Sequence, residues 1–223
     1  MNEVLSEEDR GRIRTAIARA EERTAGEIVP FIVPLSDDYE VATWRGAAAG
    51  LLLMAAGAMA VFQFYEGWGW AWLHRGWGAA LALMVGALVG GGLARFVPPL
   101  RRRFAGSDEM ADRVHDRAIE AFVEEEVFDT TDRTGILLFV SLLEHRIEVV
   151  GDTGINREVE PDDWIRVVER IRRGIRNDRL ADGLVDAIEL CGTLLERKGL
   201  EVHPDDENEL SDSVRFGPSS EED

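Results

Sequence analysis

Five aspartates stand at the ends of predicted strands, where carboxylates from separate loops could meet. They are Asp37, Asp38, Asp129, Asp132 and Asp152. If these strand ends lie along one edge of a sheet, their oxygens suit a hard cation such as Ca²⁺, which takes about six to eight oxygen ligands. Mg²⁺ would use the same cluster with more water ligands. This placement predicts a divalent-cation site.

The same aspartates also have a structural interpretation, as solvated residues that form turns and cap helices. Chance clusters are expected in a chain with 43 acidic residues, and no EF-hand pattern is present. A third alternative is a metal-dependent phosphomonoesterase, in which Arg133 or Arg157 would hold the phosphate. No spacing specifies a nucleophile, so the catalytic residues stay unassigned and enzymatic activity stays open.

Most other chemistry is disfavoured by the composition. The chain has one Cys, which excludes a disulfide scaffold and a Cys-based zinc site. Cys191 stands on the apolar stripe of a predicted helix, as a core residue would. The four histidines have no metal-ligand spacing, and Asp152-Thr153-Gly154 is one copy of a motif that aspartic proteases need twice. The formal charge of −18 argues against a nucleic-acid partner.

The segments that must position these residues differ strongly in their content of charged side chains. Residues 46–97 contain only three charged side chains, and two uncharged runs, 46–65 and 76–94, stand within them. As helices these runs are each about 30 Å long, the thickness of the hydrocarbon core of a bilayer. The segment between them holds Trp68, Trp70 and Trp72, and Trp prefers the headgroup region. The block predicts a two-helix transmembrane hairpin.

The arginines beside the hairpin predict its orientation. Two spans place both polar segments on one side, where five arginines flank the membrane against Arg75 alone on the turn. The five are Arg45, Arg95, Arg101, Arg102 and Arg103. By the positive-inside rule, both termini and the polar domain are cytoplasmic, in an inner membrane. Arg101, Arg102 and Arg103 also suit contact with anionic lipid headgroups.

Small residues recur in both spans. Gly46 and Gly50 form one GxxxG pattern, and Gly86 and Gly90 form another. Such patterns allow helices to approach closely. They favour contact between the two helices of the hairpin, and a homo-oligomer through the same faces is the alternative.

Hydrophobic periodicity predicts the order α, β, hairpin, α, β, β, α, α. Ser6 and Asp9 indicate a capping box, and Gly26 a C-terminal cap, for the first helix. Pro30 in the first strand favours an edge, a bulge or an early start to pairing. The predicted ranges are 6–23, 27–35, 107–128, 135–143, 146–150, a helix from Pro161 that buries Trp164, Ile165, Val168, Ile171 and Ile175, and 179–198.

Neither polar half has enough strands to fold alone. The sequence therefore predicts an α/β fold, with a small mixed sheet sandwiched between helices and split by the inserted hairpin. The split domain would comprise residues 1–45 and 98–200, and the hairpin residues 46–97. Residues 201–223 would be an acidic, mostly flexible tail in which 214–216 add a short strand.

The order of several short motifs resembles the TPM domain family, named for thylakoid lumen, photosystem II repair and receptor-modulator proteins. The resemblance is to its bacterial subgroup with a two-helix membrane insertion. The matching segments are ExxTxGEIV at 21–29, SDDY at 36–39, TGILLFVS at 134–141, GIN at 154–156, ADGLVDAI at 181–188 and NELSD at 208–212.

This resemblance implies a mixed sheet between helices, and it links the chain to cation binding, to acid-phosphatase-like activity and to the care of membrane protein complexes. The sequence thus predicts a membrane-anchored binding or scaffold module for envelope proteins, with Ca²⁺ as the expected cation. A weak metal-dependent phosphatase is the alternative.

Overall fold

A computed structural model describes residues 4–64, 76–200 and 208–217. Predictions that fall on Trp68, Trp70, Trp72, Arg75 and residues 201–207 and 218–223 lie outside this part. The helices are α1 (Glu7–Glu21), α2 (Glu40–Phe64), α3 (Gly76–Phe96), α4 (Pro98–Ala105), α5 (Ser107–Glu124), α6 (Ile155–Glu158), α7 (Ile165–Arg176) and α8 (Leu180–Arg197). The strands are β1 (Glu27–Val33), β2 (Gly135–Ser141), β3 (Arg146–Gly151) and β4 (Arg215–Phe216).

The chain forms two compact units. One comprises residues 1–37 and 111–223, and the other residues 38–110. The second unit is longer than the predicted hairpin because α2 begins at Glu40, before its uncharged run, and because α4 packs on both α2 and α3.

The first unit contains a four-stranded mixed sheet in the order β3-β2-β1-β4. β1 pairs in parallel with β2 and β4, and β2 pairs antiparallel with β3. Every residue of β1 and β2 is buried, because their side chains alternate between two covered faces. The predicted α/β class with a small mixed sheet is confirmed.

Helices cover the sheet on both faces. Ile28 and Ile32 of β1 join a core formed with α1, α7 and α8. Val29 and Phe31 point to the other face, where they pack with Val114 and its neighbours on α5. The alternation of β1 therefore builds two cores from one strand.

Pro30 lies inside β1 without breaking the sheet. The Ile32 carbonyl accepts from Gly217 on the β4 side, and the Ile28 N–H on that same side donates to Glu21 at 2.9 Å. By alternation, the position of the missing Pro30 N–H also faces the β4 side, but β4 pairs only with Phe31 and Ile32. Pro30 therefore costs no ladder bond, and the predicted bulge is not needed.

The ends of α1 match one prediction and contradict another. Ser6 Oγ accepts from the Asp9 N–H at 3.1 Å and the Ser6 N–H donates to Asp9 at 3.2 Å, which completes the capping box. The C-cap is Glu22, so the prediction for Gly26 was wrong. A Cβ at Gly26 would lie 2.5 Å from Leu195 Cδ1, so this glycine permits close packing on α8.

The helix predicted from Pro161 begins differently. A single 3₁₀ turn, Pro161–Trp164, precedes α7. The tighter turn changes which side chains face the core, because a 3₁₀ turn has about three residues per turn. Ile165, predicted to be buried, is 60% exposed, while Val167 is fully buried in its place.

Glycines bring α2 and α3 of the second unit into close contact. A Cβ on Gly50 would lie 2.0 Å from the Gly86 carbonyl oxygen, and one on Gly90 would lie 2.3 Å from the Gly46 carbonyl oxygen. The two GxxxG patterns thus face each other within the hairpin, as favoured above. A homo-oligomer through these faces stays a prediction.

Two helices are long and apolar enough to cross a membrane. They cover Glu40–Gln63 and Gly76–Phe96, and only 6% and 28% of the residues in their most apolar stretches are buried. Large side chains face outward, including Leu52 at 66% and Leu88 at 68% exposure. Length and exposed apolar surface together are typical of lipid-facing helices.

The described part of the C-terminal tail packs against the sheet. Residues 208–217 lie along the sheet and end in β4, which confirms the predicted short strand. Arg215 donates to the Glu125 carbonyl at 2.6 Å and pairs with the Glu125 carboxylate at 2.9 Å. The segment therefore belongs to the folded domain.

Candidate functional site

The sheet topology separates the five candidate aspartates. Asp37 follows β1, whereas Asp129 and Asp132 precede β2, which runs parallel to β1. Parallel strands place these positions at opposite ends of the sheet, and a seven-residue strand is about 20 Å long. Asp152 follows the antiparallel β3 and shares the end of Asp129 and Asp132. The prediction of one cluster containing Asp37 was wrong.

Arginines also neutralise most of these carboxylates. Asp37 pairs with Arg113 at 2.9 Å. Within the second unit, Asp38 pairs with Arg101 at 3.7 Å. In the described ranges, no group of three or more His, Cys, Asp or Glu residues could hold a metal ion. The aspartates therefore do not form a ready-made metal site in the described chain.

An ion pair between Asp152 and Arg133 joins two neighbouring loops. Asp152 is 4% exposed, and its carboxylate pairs with Arg133 Nε at 2.7 Å and accepts from the Thr153 N–H at 2.6 Å. The guanidinium of Arg133 also lies 5.6 Å from the centre of the Phe128 ring. A Cβ at Gly154 would lie 2.4 Å from the Asp132 carbonyl oxygen. These residues act in loop packing, so Arg133 has a partner other than a substrate phosphate.

Asp129 lies in a separate acidic concavity of about 340 Å³. Its lining includes Glu124, Glu126 and Glu209. Glu209 holds the loop beside it, accepting from the Thr131 N–H at 2.9 Å and from the Thr131 hydroxyl at 2.5 Å. The tail segment 208–212 thus contributes an acidic residue to the lining of this concavity, which the sequence pattern did not predict.

The sequence patterns did not predict a role for two glutamates, the buried Glu27 and the half-buried Glu21. Glu27 is 7% exposed and accepts from the Glu209 and Leu210 N–H groups at 3.3 and 3.4 Å. Burial, with Glu27 and Asp212 nearby, raises the pKa of Glu21 to about 8. The available sequence signal was a pair of glutamates, one in α1 and one at the first position of the otherwise apolar strand β1.

A membrane-proximal role was predicted for Arg101, Arg102 and Arg103. Arg101 is largely buried: it donates to the Asp38 carbonyl, and its guanidinium lies 5.9 Å from the centre of the Tyr39 ring. Arg103 is exposed. Arg45 donates to the carbonyls of Phe104 and Ala105 at 2.8 and 2.7 Å, at the C-terminal end of α4.

Cys191 is a core residue, as predicted. It lies on α8 and is fully buried in the core, and burial raises the pKa of its thiol to about 12. A thiol in this state is a poor nucleophile at neutral pH.

The fold has a counterpart among solved structures. The NMR structure of BA42 protein from the psychrophilic bacterium Bizionia argentinensis is similar, with a TM-score of 0.58 and 20% sequence identity. The match covers 97% of this chain and 98% of that one. This likeness shows the fold alone. No protein-family model matches the chain, and no curated protein matches it.

The sequence analysis also missed a basic stretch in this acidic chain. Residues 165–179 contain six arginines but only two acidic residues, Glu169 and Asp178. The signal was a local reversal of charge sign, which is readable from sequence. The structure gathers part of this stretch around a concavity between α7 and α8.

Proposed function

We propose that this chain is a membrane-anchored binding module with a TPM-like α/β domain. In this proposal α2 and α3 cross an inner membrane as a hairpin, and both termini are cytoplasmic. The observation that carries the proposal is the exposed apolar surface of two helices long enough to span a bilayer. In water such a surface would favour aggregation, whereas lipid tails would cover it.

Alkaline extraction of membranes tests the anchor. We expect the full chain, expressed in a bacterium, to stay in the membrane pellet at about pH 11 and to leave it only with detergent. An amphipathic surface attachment would instead be released by the alkaline wash. Release of most of the protein would contradict the proposal.

The edge of the sheet supports the binding role. β3 is the last strand in the sheet order, and a groove of about 350 Å³ lies between β3 and α7. Its apolar lining includes Ile147, Val149, Trp164 and Val168. An edge strand beside an apolar groove suits an extended segment of another membrane or envelope protein.

Photo-crosslinking in intact membranes tests this contact. A photoreactive residue at Glu148 on β3 is expected to capture a membrane protein, and Trp164→Ala should reduce the yield several-fold. The control position is Arg14, an exposed residue of α1. Capture of the same proteins at both positions, or insensitivity to Trp164→Ala, would contradict a specific edge contact.

Divalent-cation binding is a second candidate, suggested by the acidic concavity around Asp129. Its carboxylates are not arranged as a metal site in the described chain, so they would have to move together around the ion. We expect millimolar Ca²⁺ to raise the melting temperature of the detergent-solubilised chain by a few degrees. Asp129→Asn should abolish that shift, while Asp112→Asn, at an exposed position of α5, should preserve it. An unchanged melting temperature at millimolar Ca²⁺ would contradict cation binding.

A further inference from the structure

Four arginines line one concavity of about 310 Å³ in the first unit. Arg12 comes from α1, Arg170 and Arg173 come from α7, and Arg179 precedes α8. Pockets that hold small ligands begin at about this size. The concavity belongs to a domain whose chain carries a net charge of −18, so its basic lining is a local exception.

Two glycines in the lining allow α7 and α8 to approach closely. A Cβ on Gly174 would lie 2.8 Å from the Cα of Gly183, and a Cβ on Gly183 would lie 2.8 Å from the Cα of Gly174. The backbones of α7 and α8 therefore touch at this point, and longer side chains on both helices are set beside the contact. This geometry brings the α7 arginines to the same opening as Arg179.

The carboxylates in the lining leave an excess of positive charge. Asp182 pairs with Arg12 at 2.5 Å and with Arg179 at 2.7 Å, and this contact lowers the pKa of Asp182 below its usual range. Asp186 pairs with Arg170 at 3.6 Å. Asp9, outside the lining, also pairs with Arg12 at 3.4 Å, so four guanidiniums face three carboxylates and one positive charge is left in excess.

Arg173 is the cation best placed for a ligand. It is exposed, and within the described residues its guanidinium has no ion-pair or hydrogen-bond partner. Asp182 holds the guanidiniums of Arg12 and Arg179 together, which preorganises part of the lining. The N-terminus of α8, an 18-residue helix without a side-chain cap, opens beside them and adds positive potential.

We propose that this arginine concavity binds the phosphate group of an anionic ligand. A phosphate monoester carries close to two negative charges at neutral pH, so the cationic lining attracts it more strongly than a singly charged anion. Its three terminal oxygens also fit several guanidinium forks at once, whereas a carboxylate offers two oxygens and one charge. The inference is independent of the proposed membrane anchor and partner groove.

Isothermal titration of the full chain in detergent tests the site, with inorganic phosphate and pyrophosphate as probes. We expect saturable binding to the wild type, at least tenfold weaker binding to Arg170→Ala/Arg173→Ala, and a decline with rising salt. The matched control is Arg172→Ala/Arg176→Ala on the same helix. These two arginines pair with Glu169 outside the concavity, so affinity should stay within about twofold.

A single substitution distinguishes a loss of binding from a loss of folding. Arg173→Glu changes only the exposed arginine and should abolish phosphate binding while the melting temperature stays within a few degrees of the wild type. Absence of binding to the wild type, or equal losses in the test and control variants, would overturn the proposal.

Two further probes distinguish a soluble ligand from a lipid headgroup. Glycerol 3-phosphate and short-chain phosphatidic acid both carry a phosphate monoester. Equal affinity for the two indicates a soluble phosphate ester, and at least tenfold tighter binding of the lipid indicates a headgroup. Either result supports the phosphate site if Arg173→Glu abolishes the binding of both probes. Binding that survives Arg173→Glu overturns the proposal.

Discussion

The two compact units use apolar side chains in opposite ways. In the first unit, β2 is an almost continuous apolar run and every one of its residues is buried between two layers of helices. In the second, α2 is also rich in apolar residues, yet Leu52 and Leu53 are 66% and 74% exposed. Apolar sequence therefore has two outcomes, because one apolar surface is covered by the protein and the other is left exposed by it.

The largest expected effect concerns the water-excluding core. Phe139 of β2 is fully buried and stacks on Phe31 with ring centres 5.9 Å apart. Phe139→Ala should lower the free energy of unfolding of the α/β unit by about 4 kcal/mol, because it leaves a cavity. Thermal melting in detergent measures this. The control Phe96→Ala, at a 76% exposed position of α3, should change it by less than about 1 kcal/mol.

The second effect concerns the exposed apolar surface of α2. Leu52 lies at the middle of α2, and Leu52→Arg should disfavour membrane insertion by about 3 kcal/mol. The fraction of the chain that resists alkaline extraction measures this and should fall, while Leu52→Ile should match the wild type. An arginine at this position that leaves extraction unchanged would indicate that Leu52 faces water or protein.

The third effect concerns the contact inside the hairpin. Gly50→Ala places a methyl group against the Gly86 carbonyl, so α2 and α3 must separate. We expect a loss of about 2 kcal/mol in the thermal stability of the second unit. Gly57→Ala on the same helix meets nothing within 4 Å and should be neutral or slightly stabilising. Equal effects of the two substitutions would contradict the close glycine contact.

The smallest effect is a pH dependence of the stability of the first unit. Burial beside Glu27 and Asp212 raises the pKa of Glu21 from 4.5 to about 8, so the fold favours the protonated side chain. The contribution to stability is complete below about pH 4.5 and is lost as the pH rises to about 8. Glu21→Gln should be about 2 kcal/mol more stable than the wild type near pH 8.5 and equal to it near pH 4.5.

Melting curves across this pH range measure the effect of Glu21→Gln. The control is Glu7→Gln, because Glu7 is an exposed residue in the first turn of the same helix. A wild type and a Glu21→Gln variant with parallel pH profiles would show that Glu21 titrates normally.

Local sequence signals predicted much of the fold. The Ser6–Asp9 capping box depends on four consecutive positions, and the burial of β2 follows from its own apolar run. The uncharged runs likewise predicted α2 and α3, and two facing GxxxG patterns indicated their contact. Each of these features is determined within one element or between adjacent elements.

The candidate site depended on long-range pairing that no local signal contains. The parallel pairing of β1 with β2 joins segments about 100 residues apart, and it decides that Asp37 and Asp132 lie at opposite ends of the sheet. The ion pair of Arg133 with Asp152 and the tail contacts of Glu209 are also long-range. Pattern reasoning therefore named acidic loops without locating their partners.

The topology of α2 and α3 is the most direct test of the central claim. Two reporters, one active only outside the cytoplasm and one fluorescent only inside it, would each be fused at residue 70 and at the C-terminus. We expect the outside reporter to be active at residue 70 and the fluorescent reporter to be active at the C-terminus. Fluorescence at both positions would show that the hairpin does not cross the membrane, and the reversed pattern would contradict the proposed cytoplasmic domain.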